Sequence, residues 1–396
     1  MSQQVEIRTI RSLQGIEDIR PFWAAWQKHP NADVDFYLTI VRSRPEILRP
    51  HIIVLSRNGR PDALLVGRLE EGRVDVSIGY KRVCAPRARF MTFIYGGLLG
   101  SSTPDNCQSL IHEISRSLRQ GEADVALLHQ IRVDTPLYQA ATRFSSPLLR
   151  DHFRCPNTHR SMTVAKSVED FNLRLSPKVR KNQKWQAKNL LRTYQNKVNV
   201  ECFSGVGDLE RVIRDVEAIS RKTYQRGLGV GFIDNAETRN RLRLEAERGW
   251  LRAHIMYVAN QPCAFWVGTL YQRTFHSDCM GYDPQYAKSS PGMFLIMRVI
   301  ESFCRQNGNG DVKELDFGFG DAQYKEVLGT DKWEEVPVSI FAPTLKGLAL
   351  NVLQTQAALI DLLARKTLGR INLVSRVKKM WRHRIGKSLQ ETGESG

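Results

Sequence analysis

At 396 residues the chain exceeds one comfortable core, so two domains of ordinary size are expected. With 42% hydrophobic and 25% charged residues it is neither disordered nor fibrous, and no run approaches the roughly 18 apolar residues that span a bilayer. A net charge of +17 gathers anions without choosing among CoA phosphates, an acidic carrier protein, RNA, nucleotide-sugar lipids and an anionic membrane.

Met1 to Arg20 alternates polar and apolar residues and lacks the basic start and apolar run of a secretion signal, which points to a cytoplasmic protein. Short strands with turns between them are predicted at His51 to Leu55, Ala63 to Leu69 and Val74 to Ile78. A further strand, Phe90 to Leu99, is interrupted by Gly96-Gly97. Pro104 at a first turn, followed by Leu110, Ile111, Ile114 and Leu118, predicts a helix to Arg119, and Ala123 to Ile131 a buried strand. Strands interleaved with helices give an α/β layer structure.

The pattern restarts around Cys155 to Arg160. A strand at Ser161 to Ala165 precedes one long basic helix, Val168 to Gln195, then a strand Lys197 to Phe203 and helices Gly207 to Gln225 and Ala236 to Arg248. Three strands follow in quick succession, Leu251 to Ala259, Cys263 to Tyr271 and Thr274 to Tyr282. A helix from Met293 to about Gln306, a strand ending at Phe317, a short helix near Tyr324 and a strand Val336 to Phe341 complete the unit. After Pro343, Leu345, Leu348, Val352, Leu359 and Leu363 trace one helical stripe, and Ile371, Val374, Val377 and Trp381 another beside six basic residues. Such basic amphipathic helices can lie on an anionic membrane, clasp an acidic partner or pack on their own domain. The expected domains are 1–160, 161–343 and a basic helical tail, 344–396.

The chemistry concentrates between Asp283 and Gly329. Lys288-Ser289-Ser290-Pro291-Gly292, with the helix opening at Met293, forms a candidate phosphate cradle: glycine permits close approach, the hydroxyls donate, and the helix start favours negative charge. A helix start needing only a cap and a proline turn reads the same way. One helix further on, Asp316-Phe317-Gly318-Phe319-Gly320-Asp321 puts carboxylates at a Gly-rich strand end. Asp316 could take a proton from an acceptor amine, or position backbone amides in the turn, and Asp321 could cap the short helix. His276 and Asp278 alternate on a meander strand and, with Trp266, could line an acceptor pocket or be an ordinary sheet-surface pair. Arg180, Lys184 and Trp185 sit on the basic helix, whose bland reading is a solvated face. The seven cysteines form no C-x-x-C pair and read as reduced, mostly buried thiols, and no His/Cys spacing suggests a metal.

The run Tyr282-Asp283-Pro284, Ser290-Pro291-Gly292, helix, Leu315-Asp316-Phe317-Gly318-x-Gly320-Asp321-x-x-Tyr324-Lys325 resembles the CelD/BcsL-type branch of the GNAT acyltransferases, related to the Fem peptidyltransferases. The resemblance covers most of the chain, with its specific motifs between Leu175 and Gly329. It implies tandem GNAT-like domains of α/β (α+β) class, with mixed, mostly antiparallel sheets flanked by helices, the first a worn copy of the second. It also implies an N-acyltransferase that moves an acyl group from acyl-CoA to an amine of a sugar or amino acid, with a link to cellulose, exopolysaccharide or envelope synthesis. By the same resemblance Tyr324 is the proton donor to the leaving thiolate, Lys325 lies near the reacting groups, and the Arg-rich helix borders the cleft and meets an anionic substrate. The chain departs from the usual Gln/Arg-x-x-Gly-x-Gly/Ala loop, since Ala287 to Gly292 keeps only the last glycine. Acyl carrier protein, or aminoacyl-tRNA as in Fem relatives, therefore stays open as donor beside acyl-CoA, and a non-catalytic accessory protein of an exopolysaccharide machine is the reading from another class.

Overall fold

The structure, a computed structural model, describes residues 5–369 apart from 79–80, 144–145, 153–155, 224–225, 227–230, 307–311 and 321. The described chain forms two compact units, one of residues 5–157 with 334–369 and one of residues 158–333.

In the first unit, strands β1 (Val5–Ile10), β2 (Ile47–Arg57), β3 (Arg60–Arg73), β6 (Arg87–Gly100), β7 (Val125–Arg132) and β14 (Asp331–Phe341) lie in that order, with a small hairpin of β4 (Val76–Ile78) and β5 (Lys81–Cys84) beside them. Neighbours are antiparallel except β6 and β7, which run parallel and are joined by helix α4 (Pro104–Arg119). Helix α4 begins where the sequence requires. Pro104 stands at the first helical position, where its missing N–H costs nothing, and the Thr103 hydroxyl accepts from the Asn106 amide at 3.3 Å. Its Leu110, Ile111, Ile114 and Leu118 are buried against Met91, Phe93, Ala126 and Leu128 of the sheet. The other sheet face is covered by α1 (Leu13–Glu17), α2 (Arg20–Trp26) and α3 (Val34–Ser43), which bury Ile16, Trp23 and Tyr37 against Ile52, Val54, Leu64 and Val66.

The second unit repeats this spatial order, except that its sixth strand comes first in the chain rather than last. Strands β9 (Val198–Phe203), β10 (Leu251–Val258), β11 (Gln261–Tyr271), β12 (Thr274–Tyr282), β13 (Glu314–Phe319) and β8 (Asn157–Thr163) are ordered β9-β10-β11-β12-β13-β8. Only β12 and β13 are parallel, and α10 (Pro291–Gln306) is their crossover. One face of the sheet packs on α6 (Val168–Arg174), α7 (Pro177–Thr193) and α10 through Trp266, Phe275, Phe294, Ile300, Phe303 and Phe317. The other packs on α8 (Leu209–Ser220) and α9 (Ala236–Glu247) through Val212, Val216, Leu242, Ile255, Phe265 and Val267. The fold is thus mixed α/β, two GNAT-like units with mostly antiparallel sheets flanked by helices.

Several expectations need correction. The basic helix is broken: α6 ends at Arg174 and α7 restarts at Pro177, because Ser176 caps the Val179 amide at 3.3 Å and proline takes the first helical position. The strand expected to finish the second domain serves the first unit, since Glu335 to Phe341 pair antiparallel with Arg132 to Val125. A boundary at 343 therefore does not coincide with the division between the units. Helix α12 (Leu345–Gly369) buries Leu350 and Ala357 against Val74, Val125 and Phe341, so it belongs to the first unit. Of the stripe traced on it, Leu345, Val352, Leu359 and Leu363 are exposed and Leu348 is half-buried. The second basic stripe, from Arg370, lies outside the described residues, as does Cys155. Among the described residues no helix is long and apolar enough to cross a membrane.

Candidate active site

The second unit opens where its two parallel strands part. β12 and β13 are joined by three pairs only, Thr274 with Glu314, Phe275 with Leu315 and His276 with Asp316. Beyond them β12 stays with β11 as far as Tyr282, while β13 stays with β8 as far as Phe319. Because the strands are parallel, both free ends reach the same sheet edge. Helix α10 starts there too: Gly292 lies so close to the Tyr282 ring that a Cβ would sit 3.2 Å from it. Pro291 has no N–H, and the amides of Gly292 and Met293 have no acceptor inside the helix. No acid stands in the first turn to compete for the positive end of the helix dipole. Just upstream, Lys288 and Ser289 end a short 3₁₀ turn, Pro284–Ser289, and Ser290 takes a left-handed backbone, φ 52°. Asp283 anchors that turn by accepting from the Gln285 amide at 3.0 Å and from Lys222 Nζ at 2.6 Å.

At the fork itself Asp316 organises three donors. His159 Nε2 lies 2.6 Å from Oδ1, His276 Nδ1 3.2 Å from Oδ2, and the Gly318 amide donates to Oδ1 at 2.7 Å. Burial alone would raise the Asp316 carboxyl, but the hydrogen bonds from both imidazoles outweigh it and hold the group well below the usual carboxylate range. His159 is fixed from behind by Trp333, stacked on its ring at 4.4 Å. The two glycines downstream have φ of +70° (Gly318) and +105° (Gly320), and a Cβ on either would meet nothing within 4 Å. Conformation rather than crowding requires them, and the side of the loop they present is open. Lys325, on α11 (Gln323–Leu328), reaches back to this loop and donates to the carbonyls of Phe319 at 2.8 Å and Gly318 at 3.4 Å. Burial pulls its ammonium down against the attraction of Asp316. The half-buried Tyr324 ring meets Phe317 edge-on at 5.8 Å.

The predicted residues do not all gather here. Asp316, Gly318, His276 and Lys325 are joined by direct bonds, with Gly320 two residues further along the same loop and Tyr324 next to Lys325 in the chain. Trp266 does not line a pocket with His276. It is fully buried on the α10 side of the sheet, stacked over Phe317, and donates to the Ser277 hydroxyl at 2.9 Å. A bulge in β12, where Val267 pairs Cys279 but Gly268 pairs Ser277, leaves Asp278 opposite no partner. Asp278 instead takes an ion pair from Arg241 of α9 at 2.6 Å. Arg241 also meets Glu245 at 3.3 Å, whose carboxyl burial pushes up to about 7 despite that arginine. Arg180, Lys184 and Trp185 sit on α7, on the α10 side. Trp185 is 63% exposed, Lys184 is exposed, and Arg180 donates to the Asn172 carbonyl. Asp321 lies outside the described residues.

His159, Trp333 and Arg241 were not singled out from sequence. Only strand register brings the first to the site: His159 pairs with Phe319 across β8 and β13.

Known proteins bear on the same segment. Residues 177–326 match the family described as "Acetyltransferase (GNAT) domain". No curated protein matches the chain. Among solved structures, that of FemX is similar with a TM-score of 0.51 at 9% identity over 85% of this chain and 97% of that one. The C-terminal domain (DUF2156) of a putative lysylphosphatidylglycerol synthetase from Agrobacterium fabrum gives 0.49 at 13% identity, over 85% and 95%. A tandem GNAT protein from the clavulanic acid biosynthesis pathway gives 0.47 at 9%, over 86% and 99%. At such identities the likeness to FemX is one of fold. The matched segment runs from the start of α7 to α11 and contains the fork, the α10 start and the Asp316 network, so the chain carries a GNAT acetyltransferase domain and is an acyltransferase.

Proposed function

We propose that this protein is an N-acyltransferase of the CelD/BcsL type, moving an acyl group from acyl-CoA, or from acyl carrier protein, to an amine of a sugar or amino-acid substrate in cellulose, exopolysaccharide or envelope synthesis. The observation that carries the reading is the parting of β12 and β13 beside the open start of α10. A thioester donor laid in the fork has its phosphates near the Gly292 and Met293 amides and its acyl carbon near the open loop of Gly318 and Gly320.

The amine nitrogen then attacks the thioester carbon, a C–N bond forms, the C–S bond breaks, and the thiolate leaves. With Nδ1 tied to Asp316, the other ring nitrogen of His276 is the basic atom that takes the amine proton, and Asp316 is its positioning residue. Tyr324 supplies the proton to the thiolate. Lys325 fixes the loop by donating to the carbonyls of Phe319 and Gly318, which keeps its ammonium beside the reacting groups.

Purified protein should release free CoA from an acyl-CoA in the presence of some amine. Tyr324→Phe should slow turnover tenfold or more while donor binding stays within about twofold, because a phenol that protonates only the leaving group acts in the transition state. Full turnover in that variant would remove Tyr324 from the mechanism.

Two further readings rest on separate observations. The exposed row Lys178, Lys181, Lys184 and Lys188 beside Trp185 supports a Fem-like, aminoacyl-tRNA-dependent transfer. Transfer from charged tRNA in the absence of any thioester, weakening steeply with salt, is its signature. The exposed Leu345, Val352, Leu359 and Leu363 of α12, with the basic sequence from Arg370 after them, support peripheral attachment to an anionic membrane, or docking as an accessory protein. Deleting 370–396 should then abolish sedimentation with anionic vesicles, and unchanged sedimentation would refute that attachment.

A further inference from the structure

The second unit holds a cavity of about 450 Å³ on the α10 side of its outer strands, β9 and β10. Strands are spaced by roughly 4.8 Å, so the three steps from β13 to β10 put it on the order of 14 Å from the strand that carries Asp316. It is a separate site in the same unit. Val198, Val200 and Leu270 line one wall and Phe294, Val299 and Phe303 of α10 the other, with Asn199 and Ser302 adding one polar group to each. Its most buried polar lining residue is His254, 5% exposed, with its ring edge-on to Phe275 and Phe303 and its Nε2 4.0 Å from the Cys202 thiol. Burial, assisted by Arg252, pushes this imidazole down to about 4, so at neutral pH the interior carries no charge.

The rim is of opposite character. Arg252, Arg298 and Arg305 all reach the cavity lining. Arg298 lies over the Phe294 ring at 5.0 Å, which aims its guanidinium, and it shares one carboxylate, Glu301, with Arg305. Arg252 donates to the carbonyls of Gly249 and Leu251. Glu301 offsets one charge of the Arg298 and Arg305 pair and Arg252 meets carbonyls, so the mouth of this largely apolar chamber is positive. Ligand sites have this build, an apolar interior with a few placed polar groups.

We propose that this cavity is a second ligand site, for a single-chain amphiphile with an anionic head. The apolar chain enters between β10 and α10, and the head is held by the guanidinium groups of Arg252 and Arg298. The neutral, buried His254 is compatible with an apolar or hydroxylated chain terminus and would reject a charged one.

Isothermal titration of the full chain with decanoate, decyl phosphate and decyltrimethylammonium, each below its micelle concentration, tests this. Saturable one-to-one binding of an anionic amphiphile but not the cationic one is expected, and the tighter of the two anions identifies the head as carboxylate or phosphate. Arg252→Ala and Arg298→Ala should each weaken binding about tenfold, the worth of a hydrogen bond to a charged group. Val200→Trp should abolish binding by filling the chamber. If that variant folds poorly, the two arginine variants, altered only at the rim, decide the matter alone. Equal binding of the cationic amphiphile, no saturable binding of either anion, or binding unchanged in the Arg252→Ala/Arg298→Ala double variant would each overturn the proposal.

Discussion

The two crossover helices, α4 in the first unit and α10 in the second, hold the same place between two parallel strands, yet their N-termini are opposites. The start of α4 is occupied by its own chain: Thr103 accepts from an orphan amide and Asp105 places a carboxylate in the first turn, where the helix dipole welcomes it. The start of α10 has no acid and presents Gly292 beside a tyrosine ring. The strands beneath differ in the same sense. In the first unit the parallel stretch from Phe90 and Val125 to Phe93 and Leu128 has one polar side chain, Thr92, which donates to Glu70 at 2.6 Å. In the second the stretch ends on His276 and Asp316, tied to each other and to His159. One spatial order of strands therefore gives a closed structural unit and an open one, and the difference lies in a handful of residues at the helix start and the strand fork.

The sharpest way to break this contrast is Asp316→Asn. The amide still accepts from Gly318 but no longer stabilises a protonated His276. We expect kcat to fall a hundredfold to ten-thousandfold, the range of a lost general base. Donor binding should stay within about twofold, because the loss falls on the chemical step. A merely structural role would instead lower the urea midpoint with kcat little changed. The matching change in the first unit, Thr92→Val, should leave turnover alone, and a comparable loss there would mean that the first unit takes part in the chemistry.

Much of this contrast was legible in the sequence, and the remainder was hidden for definable reasons. Pro104 and Pro291 announced both crossover helices, because proline at a first turn is a local signal and the apolar spacing behind it is strictly helical. The Gly-rich end of β13 was legible because positive φ selects glycine, and Gly318 and Gly320 do adopt it. The partner of Asp316 was not, since His159 lies 157 residues away and only strand register unites them. The face of Trp266 was misjudged because pairing it with His276 and Asp278 assumed a common side of the sheet, whereas Trp266 faces the aromatic core under α10. The strand from Asp331 was assigned to the wrong unit because a strand's pattern gives its faces, never its neighbours. The break at Leu175-Ser176-Pro177 carried its own stop signal but lay within an unbroken basic pattern.

The two units also share a feature that sharpens the comparison from the side of stability. Each buries a histidine on its second strand, His51 in β2 and His254 in β10, and burial pushes both imidazoles down to about 4. The unfolded chain takes up these protons near pH 6.5, whereas the folded chain resists them until about pH 4. The unfolded state thus binds more protons in between, so stability is full above 6.5 and is lost as pH falls toward 4. For His254 this amounts to about 3 kcal/mol at pH 4. Urea denaturation at pH 7 and pH 4.5 should show the loss, and His254→Leu should remove that histidine's share of it. An equal acid loss in the variant would show that its imidazole already protonates in the folded chain.

The smallest expected effect concerns the closed helix start. Thr103→Ala removes the side chain that accepts from Asn106 and should cost about 1 kcal/mol, read as a lower urea midpoint with the slope unchanged. Turnover should not change, because in the first unit the cap serves the helix alone. Placing a cap and an acid at the other helix start, by Ser290→Asp with Met293→Glu, should do the reverse: stability changes little, while binding of a phosphate-bearing donor weakens as the new carboxylates occupy the positive end of α10. If donor binding survives that double change, the open start of α10 is not where the phosphates rest, and the two helices differ in sequence without differing in use.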